Sequence, residues 1–292
     1  MSIVERALEK AGVRSKAQEP SVGRQARRVA DRLPETTEAK GGHIQLDAAA
    51  LRESGLMPPA EMADRLAEEL RLIKRPLLLN AENDDARLAD GTLVMIASAL
   101  PGAGKTFMSF NLAMSIASEL DWSVLLIDAD VSRRTLSSRL GLANAPGLIT
   151  LLEREDGEIA DYVITTDYPG LQILPAGPHH RNVKELLGSQ RMRSVVSQLA
   201  AFRKRHIILF DSPPLLITSE ARVLASYVGQ IAVVVEAGVT PRRSLLEALE
   251  VLDPAKAINL ILNKNAQMLG VGDYQYAGYG SYGAEAEPKV EG

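Results

Sequence analysis

From residue 91 onward the sequence alternates short apolar runs with helical segments, and this alternation constrains the fold more than any other feature. Each run is rich in Val, Ile and Leu and ends in polar residues or Gly. The runs are LVMIAS (93–98), VLLID (124–128), LQILP (171–175), HIILFD (206–211), IAVVVEA (231–237) and INLILNK (258–264). Helical patterns lie between them, at 105–120, 184–202 and 242–252. Apolar strands joined by helices predict an α/β fold with a mainly parallel sheet covered by helices on both faces.

Charge and periodicity divide the chain into three parts. Residues 1–41 carry a net charge of +3 and combine a short apolar helical stripe with a polar stretch, which predicts a helix and a flexible linker. Residues 42–269 are predicted to form the α/β domain, with an amphipathic helix over about 60–75 that stops at Pro76. Residues 270–292 are rich in Gly and Tyr, lack periodicity and are predicted to be disordered or only locally ordered.

Charge, cysteine content and the length of the apolar stretches argue against several classes of protein. The net charge is −4, with a pI of about 5.7, which argues against a general nucleic-acid binder. The chain has no cysteine, which excludes disulfides, thiolate nucleophiles and cysteine metal sites. No stretch reaches the roughly 18 apolar residues that a membrane-spanning helix needs, so we expect a chain that does not cross a bilayer.

The first apolar run leads directly into ALPGAGKT and then into a helix, the setting of a Walker A phosphate loop. Small residues let backbone N–H groups surround phosphate oxygens, and the helix N-terminus adds partial positive charge. Lys105 is predicted to reach the β- and γ-phosphates and Thr106 to ligate Mg²⁺. The predicted nucleotide-binding residues in this segment are Pro101, Gly102, Ala103, Gly104, Lys105, Thr106 and Phe107.

Two further strands end in carboxylates. Asp128 and Asp130 follow one apolar run and Asp211 follows another. Capping of a helix explains any one Asp, but three carboxylates at strand ends of one sheet favour a site that holds Mg²⁺ and accepts a proton. Asn263 follows the last strand, where an adenine contact and a simple turn are equal alternatives.

The tail clusters tyrosines. The chain has seven, and four of them lie within nine residues: Tyr274, Tyr276, Tyr279 and Tyr282. A sticky low-complexity end is the plain alternative. Beside a phosphate loop, Gly-spaced phenols favour phosphate acceptors that reach the active site of their own or a neighbouring subunit.

These motifs together resemble the bacterial tyrosine autokinases (BY-kinases) of exopolysaccharide synthesis, and most closely the branch encoded beside exosortase. The resemblance extends over nearly the whole chain. It includes ALPGAGKT, VLLIDAD, the strand ending in DSPP, the Tyr-rich tail, PGLQILPAG, NVKELLGSQRMR, EAGVTPRRS and EELRLIKRPLL.

The resemblance implies a P-loop kinase that uses ATP and Mg²⁺ to phosphorylate tyrosines, mainly its own tail in trans. Lys105, Asp128, Asp130 and Asp211 would be catalytic, with Thr106, Asp128 and Asp211 at the metal. It also implies a ring of unphosphorylated copies, a membrane polysaccharide co-polymerase as a separate activator and a cognate tyrosine phosphatase. The expected location is the cytoplasm, at the inner face of the membrane.

Two family patterns are altered in this sequence. The Glu-x-x-Arg-x-x-Arg motif of the ring contact corresponds to Glu68, Arg71 and Lys74, with Lys in place of the last Arg and Arg75 beside it. Lys lacks the bidentate fork of Arg. After the aspartates, the usual Arg is replaced by Ser132, with two arginines following.

Two other functions compete with tyrosine transfer. Partitioning and septum-site ATPases share the loop class, but they carry a signature Lys where this chain has Leu100, and they lack a tyrosine tail. A scaffold that uses nucleotide only as a switch would bind ATP without forming a covalent product.

Overall fold

The computed structural model describes residues 39–83, 90–201 and 205–265, and in that part eight strands form one sheet. The strand order is β1-β4-β5-β3-β6-β2-β7-β8. The strands are β1 His43–Ile44, β2 Leu93–Ala97, β3 Ser123–Asp128, β4 Ile164–Thr166, β5 Leu171–Leu174, β6 His206–Asp211, β7 Gln230–Glu236 and β8 Ala257–Asn263.

Helices connect these strands and cover the sheet. The α-helices are α1 Ala48–Glu53, α2 Ala63–Glu82, α3 Lys105–Ala117, α4 Thr135–Arg139, α5 Leu148–Glu153, α6 Val183–Leu187, α7 Gln190–Ala200, α8 Ser219–Tyr227 and α9 Arg242–Glu250. Single 3₁₀ turns lie at Ala60–Met62 and Ile159–Asp161.

The predicted parallel α/β sheet is confirmed. Every pairing in the sheet is parallel except that of β4 with β5. The pattern of apolar runs missed β1 and β4, because strands of two and three residues are too short to show a period. Because the central strands β3, β6 and β2 are parallel neighbours, their carboxyl ends lie at one edge of the sheet, where the site is predicted.

The core lies on both faces of the sheet. Met95 and Phe210 pack on one face, whereas Ile96 and Leu126 pack on the other with Phe110 of α3. All five side chains are fully or almost fully buried. Alternate residues of one strand thus serve two cores, which is why the runs read as continuously apolar.

The predicted end of the amphipathic helix at Pro76 is wrong. Helix α2 runs from Ala63 through Pro76 to Glu82. The segments on either side of Pro76 are anchored independently, because Leu70 and Leu77 are buried in the core and the Asn80 amide donates to Gln230. These tertiary contacts outweigh the backbone hydrogen bond that a proline removes.

The single helix predicted over 184–202 is instead two helices, α6 and α7. The break falls at Gly188 and Ser189, where the Ser189 hydroxyl accepts a hydrogen bond from the Met192 N–H at 3.1 Å. A Ser at this position caps a new helix more readily than it continues an old one.

The predictions for the N-terminal segment and the tyrosine tail concern residues 1–38 and 266–292, which lie outside the described residues. In the three described ranges, no helix combines the length and apolar character needed to cross a bilayer.

Gly147, at the start of α5, offers a test of the packing around β5. A Cβ at this position would collide with the Pro175 carbonyl, while the next N–H, that of Leu148, donates to the same oxygen at 2.8 Å. We expect Gly147→Ala to lower the free energy of unfolding by roughly 2 kcal/mol, because backbone must move to relieve the overlap. Urea unfolding measures this change.

The matched control is Gly188→Ala. Its Cβ would lie 3.4 Å from the nearest carbonyl, and the backbone φ is −84°, which alanine adopts freely. Equal stability of the two variants would contradict the close packing seen at Gly147.

Candidate functional site

The loop between β2 and α3 has the shape of a phosphate loop. Gly102 and Gly104 adopt φ values of +91° and +94°, which few other residues tolerate. A Cβ on Gly104 would also collide with the Asn263 amide. The left-handed backbone at Gly104 therefore favours glycine, a larger residue would displace the Asn263 amide, and the loop delivers Lys105 at the start of α3.

Lys105 is buried, with 8% of its surface exposed. Burial lowers the pKa of its ammonium, whereas the charges of Asp211 and Asp130 raise it. The predicted lysine and two predicted carboxylates therefore lie close enough to interact electrostatically.

Asp128 ends β3 and is completely buried. Its Oδ2 accepts hydrogen bonds from the Ser137 N–H at 2.8 Å and the Ser137 hydroxyl at 2.7 Å, but its Oδ1 has no partner. Burial, followed by the charge of Asp211, raises the pKa of Asp128 to about 7. This carboxyl group can bind or release a proton near neutral pH.

Asp211 ends β6 directly beside Asp128, because the two residues are register partners in the parallel sheet. Its Oδ1 accepts from the Ser109 hydroxyl at 3.0 Å and its Oδ2 has no partner. Burial raises the pKa of Asp211 to about 6, although the nearby Thr106 hydroxyl, the charge of Lys105 and the Ser109 hydroxyl oppose the rise. The predicted neighbours Thr106 and Asp211 thus lie together.

Asp130 lies two residues beyond Asp128 and is 7% exposed. Its Oδ1 accepts from the Arg133 N–H at 3.3 Å. Burial raises the pKa of Asp130, whereas the charges of Lys105 and Arg133 lower it. The turn after β3 therefore holds Asp130 on the same side of the sheet as Lys105.

The residues fit a nucleotide with Mg²⁺. Two fully buried carboxylate oxygens, Asp128 Oδ1 and Asp211 Oδ2, lack any protein partner and would be stabilised by a cation or its water shell. Within the described ranges no cluster of three or more His, Asp or Glu forms a metal cage by itself. Mg²⁺ at nucleotide sites is usually held by one or two carboxylates together with phosphate oxygens and water.

Asn263 and Lys74 have roles that their sequence patterns did not indicate. The Asn263 amide donates to the Ala103 carbonyl at 2.8 Å, so it contacts the phosphate loop, and its adenine contact stays a prediction. Lys74 was predicted to contact a neighbouring copy, but it is only 6% exposed and contacts α3 of the same chain. Its Nζ lies 2.6 Å from both the Ser115 carbonyl and Glu119 Oε1.

The other two residues predicted to contact a neighbouring copy are exposed. Glu68 and Arg71 pair with each other on the outer face of α2. Lys74 is buried instead, and its ammonium pairs with Glu119 of the same chain.

Sequence reasoning missed Ser109 and Ser137. Ser109 follows Thr106 by three residues on α3, so the helical period places both on the face towards Asp211, and this signal was available. Ser137 bonds Asp128 across nine residues and in turn accepts from the Ala176 N–H, a contact that no local pattern predicts.

The raised pKa of Asp128 gives the ligand-free protein a characteristic pH dependence. Between the ordinary value near 3.8 and about 7, the folded state holds a proton that the unfolded state has released, so the free energy of unfolding falls as pH rises through this window. We expect Asp128→Asn to be more stable than the parent at about pH 8, by about 1–2 kcal/mol, and to lose that advantage near pH 4. Denaturant unfolding with chelator and without nucleotide measures this.

Asp156→Asn, which removes a highly exposed carboxylate, should leave the pH profile unchanged. A parent profile that Asp128→Asn does not alter would mean that Asp128 is ionised in the folded protein throughout.

Comparison with known proteins places the chain in a family. Residues 91–240 match the model of the AAA domain family. The chain is 31% identical over 192 residues to the tyrosine-protein kinase YwqD of Bacillus subtilis, an alignment that covers 66% of this chain and 78% of that protein. It is also 31% identical over 177 residues to the tyrosine-protein kinase ptk of Acinetobacter johnsonii, covering 60% of this chain but only 24% of that longer protein.

Solved structures of similar fold support the same family assignment. The BceF tyrosine kinase domain superposes with a TM-score of 0.59 at 26% identity, covering 82% of this chain and 96% of that one. The septum-site-determining protein MinD of Pyrococcus horikoshii, bound to Mg-ADP, superposes with a TM-score of 0.51 at 23% identity and shares the fold alone. The chain has a phosphate loop beside buried carboxylates, and its sequence matches these relatives. It therefore belongs to the bacterial tyrosine-protein kinase family, with a P-loop fold.

Proposed function

We propose that this protein transfers the γ-phosphoryl group of ATP to tyrosine, and that its acceptors are Tyr274, Tyr276, Tyr279 and Tyr282 in the tail of another copy. The observation that carries the proposal is the convergence of Lys105, Thr106, Asp128, Asp130 and Asp211 at one edge of the sheet, in a chain whose relatives are named tyrosine kinases.

The residues fit an in-line transfer. The phenolic oxygen of tyrosine forms a bond to the γ-phosphorus while the bond from that phosphorus to the β-bridging oxygen breaks, and ADP leaves. The phenolic proton passes to Asp128, a buried carboxylate held by Ser137 with one oxygen that has no protein partner. Lys105 stabilises negative charge on the phosphates.

Mg²⁺ would be held by Thr106, Asp128 and Asp211 and would neutralise charge on the β- and γ-phosphates. The residues around it keep the site ordered without the metal. Ser137 orients Asp128 through two hydrogen bonds and Ser109 orients Asp211, so that the free oxygen of each carboxylate is fixed.

We place the activity in exopolysaccharide synthesis and export, beside a membrane polysaccharide co-polymerase that activates the kinase and a phosphatase that reverses it. Support comes from the resemblance of the sequence to the tyrosine autokinases of exopolysaccharide synthesis. The cytoplasmic location at the membrane and the exosortase-associated branch are proposed on the sequence resemblance alone.

Partitioning ATPases and nucleotide-switched scaffolds are the competing functions. The fold does not separate them from the kinase, since MinD shares it. The chain differs from the partitioning ATPases at Leu100, and the product of the reaction separates all three: phosphotyrosine, inorganic phosphate, or neither.

A first experiment tests the transfer itself. Lys105→Met should lower phosphotyrosine formation at least about 100-fold, because it removes charge stabilisation of the transferred group. A variant with Phe at all four tail tyrosines should lose phosphate incorporation and still bind ATP. Incubation with ATP followed by site mapping by mass spectrometry provides the measurement.

Two matched substitutions serve as controls. Lys184→Met changes an exposed lysine on α6, and Tyr227→Phe changes a tyrosine of α8 whose hydroxyl contacts the Leu187 carbonyl. Both should phosphorylate normally. Phosphotyrosine that persists in Lys105→Met would show that another enzyme adds it.

A second experiment tests self-association through α2. We expect unphosphorylated protein to associate through Glu68 and Arg71, and tail phosphorylation to loosen the assembly because each phosphate adds about −1.5 to −2 charge. Light scattering should give a lower mass for phosphorylated protein than for phosphatase-treated protein. The Glu68→Ala/Arg71→Ala variant should have the lower mass even without phosphate.

The same helix supplies the control. Arg65 and Glu69 form a similar exposed ion pair at 3.1 Å, and replacing both with Ala should leave the mass unchanged. Equal masses for phosphorylated and dephosphorylated parent protein would refute the phosphate effect, and equal loss in both double variants would refute a specific contact at Glu68 and Arg71.

A further inference from the structure

The carboxyl end of β8 contacts the phosphate loop through two consecutive side chains. The Asn263 amide donates to the Ala103 carbonyl at 2.8 Å, and Lys264 Nζ donates to the Gly102 carbonyl at 2.7 Å. These are adjacent peptide groups of the loop, so one strand end holds two neighbouring loop carbonyls.

Lys264 is itself held in place from a second strand. Its Nζ lies 3.0 Å from Glu236 Oε1, at the end of β7, and the Glu236 side chain is only 19% exposed. Glu236 and Asn263 are register partners in the sheet, which brings the three side chains to one place.

The backbone of Lys264 is unusual. Its φ is +57°, the left-handed region that residues other than Gly seldom occupy. An outlier of this kind persists where surrounding contacts maintain it, and it often marks a functional position. Here the turn directs the lysine back over the loop instead of away from the sheet.

The two contacts orient the loop amides. In a trans peptide the C=O and the following N–H point in opposite directions. The Gly102 carbonyl is held towards Lys264, so the Ala103 N–H points away from β8. In the same way, the Ala103 carbonyl held by Asn263 turns the Gly104 N–H away. These N–H groups are the donors that a phosphate loop offers to its ligand.

We propose that Glu236 and Lys264 form a latch, with Asn263 beside them, that fixes the phosphate loop in its phosphate-binding shape before nucleotide arrives. Lys264 is then a positioning residue for the β-phosphate, acting through the Gly102 carbonyl. This inference rests on the nucleotide site of the proposed kinase, and it adds a residue that none of the loop motifs contains.

Calorimetric titration of the full chain with ADP and with AMP, both with Mg²⁺, tests the latch. Lys264→Met should weaken ADP binding about five- to tenfold and leave AMP binding within about twofold, because AMP has no β-phosphate to be held by the oriented N–H groups. Lys264→Arg should recover most of the affinity. Lys256→Met, at the opposite end of β8, is the matched control and should change neither ligand.

Glu236→Gln tests whether the two side chains act as one unit. It should weaken ADP binding in the same direction as Lys264→Met, and the double variant should bind no more weakly than Lys264→Met alone. In the kinase assay, Lys264→Met should raise the KM for ATP and leave kcat unchanged, since the latch serves bound substrate and transition state equally.

Three results would overturn the latch: unchanged ADP affinity in Lys264→Met, an equal loss for ADP and AMP, or fully additive losses in the double variant. An equal loss would assign Lys264 to the base or sugar, or to general stability, which thermal unfolding of the ligand-free variants reports. The ADP measurement needs no phosphotyrosine. A chain without tyrosine transfer that still discriminates ADP from AMP through Lys264 would refute the kinase and keep the latch.

Discussion

Desolvation of Asp128 and Asp211 by the parallel sheet is the constraint on which the site depends. Both carboxylates end central strands, both are almost fully buried, and the register of β3 and β6 places them side by side. Burial in this setting disfavours charge, and two adjacent carboxylates disfavour it further. The buried ammonium of Lys105 and the hydroxyl groups of Ser109 and Ser137 offset part of that cost.

The same constraint links the fold to the chemistry. A sheet whose strands are apolar on both faces can place polar groups only where its strands end. The phosphate loop follows β2, and Asp128 and Asp211 end β3 and β6. Asn263 and Lys264 at the end of β8 bind loop carbonyls, and Glu236 at the end of β7 pairs with Lys264. Five strands thus contribute to one edge, and the loop is bounded by side chains that are far apart in the sequence.

Much of this arrangement could be predicted from the sequence, because its signals are local. Apolar runs predicted the central strands, and the loop motif predicted where Lys105 and Thr106 lie. The failures have a common physical cause. Helix α2 continues through Pro76 because Leu70 and Leu77 are buried on either side, and Ser137 reaches Asp128 only after the chain has turned. Such contacts depend on tertiary packing, which no window of sequence contains.

Lys74 is the clearest example, and it has a mechanical consequence. Its ammonium ties the middle of α2 to the Ser115 carbonyl and to Glu119, at and just beyond the far end of α3, whose first residue is Lys105. The two helices therefore pack against each other and are joined by the Lys74 side chain. The outer helix α2 and the phosphate loop are thus joined through a single helix, because α3 carries Lys105 at its first residue and accepts the Lys74 contact in its last turn.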